Sequence, residues 1–185
     1  FRNPQFSAAN AVTLLVYAAL GVIFVFLVLQ LQVVSGWSPI AAGSALLPVT
    51  VVMLLFSSRA GALAQRIGPR LPMTLGPLLA AGGALWMGQI GPEASYVGDV
   101  LAPVLLFAIG LTLLVSPLTA TVLDAADDRH AGIASGVNNA VARTAGLLAV
   151  AVIPAAVGIA GADYTDPQTF DEGYGMAMVI NAALL

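Results

Sequence analysis

Five apolar runs, at roughly 11–34, 39–58, 72–91, 100–123 and 133–160, dominate this sequence, and each is long enough to cross a hydrocarbon core, which takes about 20 residues of helix. A sixth begins near Gly175 and stops at Leu185, about half a span. Lipid offers no partner to an unpaired backbone group, so each run must close its own hydrogen bonds as a helix. Barrel strands would be shorter and would alternate in polarity. Composition agrees: 59% of residues are hydrophobic and 8% charged, against about 25% charged in soluble domains. The expectation is an all-α membrane protein, one transmembrane helical domain over residues 1–185 with its last span (175–185) truncated. The chain opens on Phe1 and ends inside an apolar run, and this reading expects a fragment of a longer chain.

The charges are segregated. There is no Lys, and Arg2, Arg59, Arg66, Arg70 and Arg129 fall in segments that share one side when the spans alternate. The opposite segments, 34–38, 92–99 and 161–174, carry no Arg. The positive-inside rule then places the N-terminus in the cytoplasm. Trp37, Tyr96, Tyr164 and Tyr174 fall at the far interface, as an aromatic belt would. With no Cys, disulfides and thiolate metal sites are excluded. The acids all lie between the runs or at their edges, and segment 161–174 reads as the longest solvated connector. His130 reads as a solvated loop residue beside Asp127 and Asp128.

Polar side chains inside spans are costly and face protein or a water-filled cavity. Asn10, Thr13 and Tyr17 share one face of the first helix, and Thr112, Ser116 and Thr119 one face of the fourth. These are substrate-pathway candidates, set against the plainer reading that Ser and Thr bond back to their own helix. Gln30 and Gln32 lie near the outer end of helix one; Gln32 is a further pathway candidate, there to cap the short turn or close the outer gate. In the fifth helix, Asn138, Asn139 and Arg143 form a candidate gate, with snorkelling of Arg143 as its alternative. Gly132 and Gly136 form a pair that lets a neighbouring helix approach. Gly76-Pro77 and Gly82-Gly83 read as positions of helix flexibility and close packing. Ser38 before Pro39 marks a helix start, Pro72 opens the third helix, and Gly91–Pro92 closes it.

Three motifs carry a resemblance. The run Gly61-Ala62-Leu63-Ala64-Gln65-Arg66-Ile67-Gly68-Pro69-Arg70 reads as a cytoplasmic turn in which Gly61 and Gly68 bend the backbone and Arg66 and Arg70 hold the segment in the cytoplasm. It resembles the G-x-L-a-D-R-x-G-x-R/K loop of the major facilitator superfamily, with Gln65 where the family usually has Asp, which leaves a hydrogen-bonding latch rather than a charged one. The stretch Gln32 to Pro39, followed by Ala42-Gly43 and Leu47-Pro48, resembles a pattern of the fourteen-helix drug:proton antiporter branch. Ala131-Gly132, Ala134 to Asn139 and Arg143 to Gly146 resemble that branch's penultimate helix.

The resemblance implies the C-terminal six-helix half of a transporter in the bacterial inner membrane. Its work would be proton-coupled efflux of small hydrophobic or amphiphilic compounds by alternating access. It implies partners in membrane lipid, the N-terminal half, a small-molecule substrate and protons, with no nucleic acid and no cofactor. The proton-coupling acids would lie in the other half, since no run here holds an interior Asp, Glu or His. Alternatives are a six-helix channel or transporter subunit that dimerises with itself, or a membrane-embedded enzyme. The enzyme would need a metal or acid–base constellation, and none is written in the sequence; no metal site and no catalytic residue is expected.

Overall fold

A computed structural model describes residues 4–124 and 131–185. Arg2, Asp127, Asp128, Arg129 and His130 lie outside the described residues. The described residues form helices and helical turns and no strand. Helix α1 runs Pro4–Leu29 and continues into a π-helical turn, Gln30–Val34. A short α2, Pro39–Ser44, precedes α3, Leu47–Ile67. Then come α4, Arg70–Met87; a second π turn, Tyr96–Val100; α5, Leu101–Asp124; α6, Ala131–Ala156; a 3-10 turn, Gly161–Thr165; and α7, Pro167–Leu184.

Local chemistry sets these boundaries. Ser38 caps α2 by accepting from the Ala41 N–H, and Pro39 supplies a preset φ at the first position. Pro48 has no N–H to give to the carbonyl four residues back, so the expected 39–58 helix is interrupted between α2 and α3. The expected turn at 59–70 is displaced. Gly61 lies inside α3, and the chain turns only at Gly68, at φ 87°. Arg59 is therefore a helical residue rather than a loop residue, more than two turns before the end of α3. Pro72 sits in the first turn of α4, which starts at Arg70 and ends before Gly88, ahead of Gly91–Pro92. The segment read as a solvated connector is helical from Pro167 onward. Asp166 caps that helix by accepting from the Thr169 N–H at 2.8 Å, and these bonds hold the Asp166 carboxyl below its usual range.

Gly68 has a backbone conformation that side chains with a Cβ rarely adopt. Gly68→Ala is expected to cost about 1–3 kcal/mol of stability, read as a lower unfolding midpoint in detergent. Gly91→Ala, which has open space and no positive φ, should leave the midpoint in place.

Helix α1 packs on α6, α5 on both α3 and α4, and α7 on α4 and α1. Four segments, Pro4–Val34, Pro39–Ile67, Tyr96–Val122 and Ala131–Ala156, are long and apolar enough to cross a membrane. Apolar side chains point outward as well as inward: Leu54 is 79% exposed and Leu147 75%, which suits a lipid surround. Lipid gives no hydrophobic drive for helices to meet, so close van der Waals approach must supply the cohesion. The α4–α5 seam shows it. A Cβ on Gly83 would lie 2.6 Å from the Phe107 nitrogen, and one on Gly76 2.8 Å from the Gly110 carbonyl oxygen. The close-packing reading holds at Gly76 and Gly83 and fails at Gly82, where a Cβ would meet only Leu106 Cδ2 at 3.8 Å. In α6 the close approach falls at Gly146, whose Cα would sit 2.8 Å from a Cβ on Gly21 of α1. Gly132 and Gly136 have no such neighbour within 4 Å among the described residues.

Candidate functional site

The expected polar face of α1 meets α6. Asn138 Nδ2 donates to Thr13 Oγ1 at 2.9 Å and to Asn10 Oδ1 at 3.3 Å. Asn10 and Thr13 are 4% and 1% exposed, and each also donates to its own helix, to the Phe6 and Ala9 carbonyls. The structure thus joins three of the sequence candidates into one interhelical cluster. Tyr17, one turn along, is half-buried and packs against the main core. The Gly21–Gly146 crossing just beyond brings the two backbones close enough for such short polar side chains to touch.

The other candidates divide. Asn139 bonds back to the Ser135 carbonyl at 3.2 Å and is exposed, as are Gly132, Gly136 and Arg143. These four positions form one outward stripe of α6, opposite the Ala134, Ala142, Ala145 and Ala149 side that is buried in the bundle. Thr112 and Thr119 donate to the carbonyls of Ala108 and Val115, the back-bonding alternative weighed above. Ser116 instead reaches across to the Ser57 carbonyl of α3 at 3.1 Å. Gln32 Nε2 bonds back to Val28 at 3.3 Å. Gln65, Arg66 and Arg70 are exposed around the α3–α4 turn, with Gly68 half-buried between them.

Between α3 and α5 lies a cavity of about 400 Å³, walled by Val52, Phe56, Leu63, Ile109 and Leu113, with Thr112 in its lining. That volume is in the range of small-molecule sites, about 300–1,000 Å³. Its one charged neighbour is Arg59, whose guanidinium lies 5.5 Å from the centre of the Phe56 ring, a cation–π contact. Sequence reading missed Arg59 here because the apolar run stops at 58; only the continuation of α3 to Ile67 shows the residue to be helical. A mostly apolar wall with a few polar groups suits amphiphilic molecules.

Similarity decides the family. The sequence profile of the Major Facilitator Superfamily matches residues 1–150. The chain belongs to the Major Facilitator Superfamily. It is a multi-pass membrane protein of a transporter family rather than of an enzyme family. The cephamycin export protein CmcT of Amycolatopsis lactamdurans is 30% identical over 180 residues, 97% of this chain and 37% of that protein. The tetracenomycin C resistance and export protein of Streptomyces glaucescens is 30% identical over 154 residues, 83% of this chain and 28% of that protein. The lincomycin resistance protein of Streptomyces lincolnensis is 31% identical over 152 residues, 82% of this chain and 31% of that protein. This superfamily chain therefore spans about a third of the length of these relatives.

Proposed function

We propose that this chain is the C-terminal half of a drug exporter of the fourteen-helix drug:proton antiporter branch. It would move small hydrophobic or amphiphilic compounds out of a bacterium in exchange for protons. The observation that carries the reading is the similarity to export and resistance proteins across nearly the whole chain. In this reading the Arg66–Arg70 end lies in the cytoplasm, in line with the arginine bias, and the protein sits in the inner membrane. The N-terminal half supplies the second wall of a midplane cavity, and the two halves rock to alternate access. Asn10, Thr13, Tyr17, Thr112 and Ser116 face or border the pathway. The outward stripe of α6 meets the other half, with Arg143 as the gate contact at its polar end.

The test uses the full-length protein in proteoliposomes with an imposed pH gradient and a fluorescent amphiphilic substrate. Export that follows the gradient, and collapses when the gradient is dissipated, supports the reading; accumulation indifferent to both the protein and the gradient overturns it. Arg143→Ala is expected to slow export about tenfold or more, the scale of one lost charge-assisted contact, while the amount of inserted protein on membrane blots stays level. Unchanged export in that variant would remove Arg143 from the gate.

A further inference from the structure

The end of the bundle remote from Arg66 and Arg70 carries a polar cluster that the apolar runs concealed. Gln30 opens the π turn of α1 and is fully buried. Its Nε2 donates to the Ile90 carbonyl at 2.7 Å and to Asp171 Oδ1 of α7. Both hydrogens of the amide are thereby used. Its oxygen, Oε1, is buried with no donor at all; only one other buried side-chain atom among the described residues shares that state. An orphaned buried acceptor is destabilising, and π turns inside helices often mark functional sites.

Asp171 is the acid that sequence reading assigned to a solvated connector. It lies in the second turn of α7, half-buried, with an amide rather than a guanidinium as its partner. The titratable groups nearby are few. On α7, Tyr174 is fully buried and donates to the Met87 carbonyl at 2.9 Å, whereas Glu172 is exposed. In the 3-10 turn, Asp163 accepts from the Ala160 N–H, and the Tyr164 ring packs on Phe170. Glu93, in the α4–α5 connector, is exposed. α1 and α6 bring no charged group to this end among the described residues.

The cluster has one acceptor too many, and the missing donor is a single hydrogen. We propose that Asp171 and Gln30 form a proton-binding site. A proton from the adjoining water adds to the Asp171 carboxylate and turns one of its oxygens into an O–H donor. The protonated oxygen is Oδ2, and Oε1 accepts its hydrogen while Nε2 keeps its donations to Asp171 Oδ1 and to the Ile90 carbonyl, so a cyclic acid–amide pair closes. Proton uptake adds a second bond between α1 and α7 and satisfies Oε1; release removes it. The connector is held at neighbouring points by Ser35, which donates to the Gly91 carbonyl at 2.9 Å, and by Trp37, which donates to that of Ala94 at 3.2 Å. Proton uptake therefore tightens α1 against α7 and leaves these ties to the connector in place. As a coupling site, the pair rests on the proton-exchange reading above; as a proton site, it does not.

Two measurements on the full-length protein separate these claims. Infrared spectra of purified protein in lipid nanodiscs, taken during acidification, should show a protonated-carboxyl stretch that is lost in Asp171→Asn. In Gln30→Leu, which keeps the acid and removes its acceptor, the stretch should persist at higher frequency. Asp171→Asn preserves an amide-length side chain and a hydrogen-bonding oxygen, so a merely structural role predicts no change in the pH dependence of export. The proposal predicts that this dependence flattens while proton-independent substrate exchange continues. A stretch that survives in Asp171→Asn, together with the wild-type pH profile, overturns the site. If the wild type shows the stretch but no gradient-driven export, the exporter reading fails and the site stands.

Discussion

Gly83→Leu is expected to abolish the folded state of this half, seen as loss of the monodisperse peak after detergent extraction. The reason is geometric. A Cβ at Gly83 meets the nitrogen, Cα and Cβ of Phe107 at 2.6, 2.8 and 2.8 Å, and backbone cannot move aside as the end of a flexible side chain can. The α4–α5 axes would have to separate along a seam that Gly76 and Gly110 close further along. Overpacking of a well-packed core costs about 1–3 kcal/mol for ordinary insertions, and the four heavy atoms of Leu against backbone put this case at about the upper end or beyond. Few apolar helix pairs in lipid have a second source of cohesion to offset that loss. The internal control is the adjacent glycine. A Cβ on Gly82 meets only Leu106 Cδ2 at 3.8 Å, so Gly82→Ala should be neutral or stabilising by up to about 1 kcal/mol, the helix-propensity difference. If Gly83→Leu and Gly82→Ala behaved alike, the tight seam would not be what holds α4 to α5.

Most of the architecture was legible because lipid leaves so few options. Runs of about 20 apolar residues have to be helices, and α1, α3, α5 and α6 overlap the runs read from the sequence. The boundaries fared less well, for reasons that particular residues show. Hydropathy sees where polarity begins, not where hydrogen bonding ends. Arg59 ended the second run on that scale, yet the backbone stays helical up to Gly68, the next residue along with a positive φ. Asp166, Asp171 and Glu172 read as a solvated loop for the same reason, although an Asp166-Pro167 start followed by helix-compatible residues was a capping signal available in the sequence. Tyr174, assigned to an interfacial belt, is instead fully buried with its hydroxyl on Met87. The polar candidates were legible as faces but not as partners. Spacing put Asn10 and Thr13 together; nothing in one sequence says that Asn138, 125 and more residues away, completes them. Between two glutamines two residues apart, the motif resemblance pointed to Gln32. The π turn, a feature with no sequence signature, belongs with Gln30 as the buried one.

The Asn138 cluster yields the second large effect, Asn138→Leu. The substitution removes both interhelical bonds from Nδ2 and leaves Asn10 Oδ1, on a side chain 4% exposed, facing a methyl group instead of a donor. Thr13 keeps its bond to the Ala9 carbonyl, so the loss falls on Asn10. Interhelical polar contacts in membranes average about 0.6 kcal/mol and reach about 1.7, whereas stranding a buried acceptor costs about 1–3 kcal/mol. The second figure governs here, because the Asn10 side chain is only 4% exposed, and the expected loss is about 2 kcal/mol. A double-mutant cycle separates the terms. Asn10→Ala on the Asn138→Leu background removes the stranded oxygen and should restore about half or more of the loss, a coupling beyond the few tenths of a kcal/mol expected of independent sites. Strict additivity in detergent unfolding would mean that the two asparagines do not meet. Stability and transport should also part company. If these side chains border the pathway, the rescued double variant regains its unfolding midpoint but not its export, since the lipophilic face it presents has lost the donors and acceptors that a passing amphiphile would use. Recovery of both together would assign the cluster to holding α1 against α6 alone.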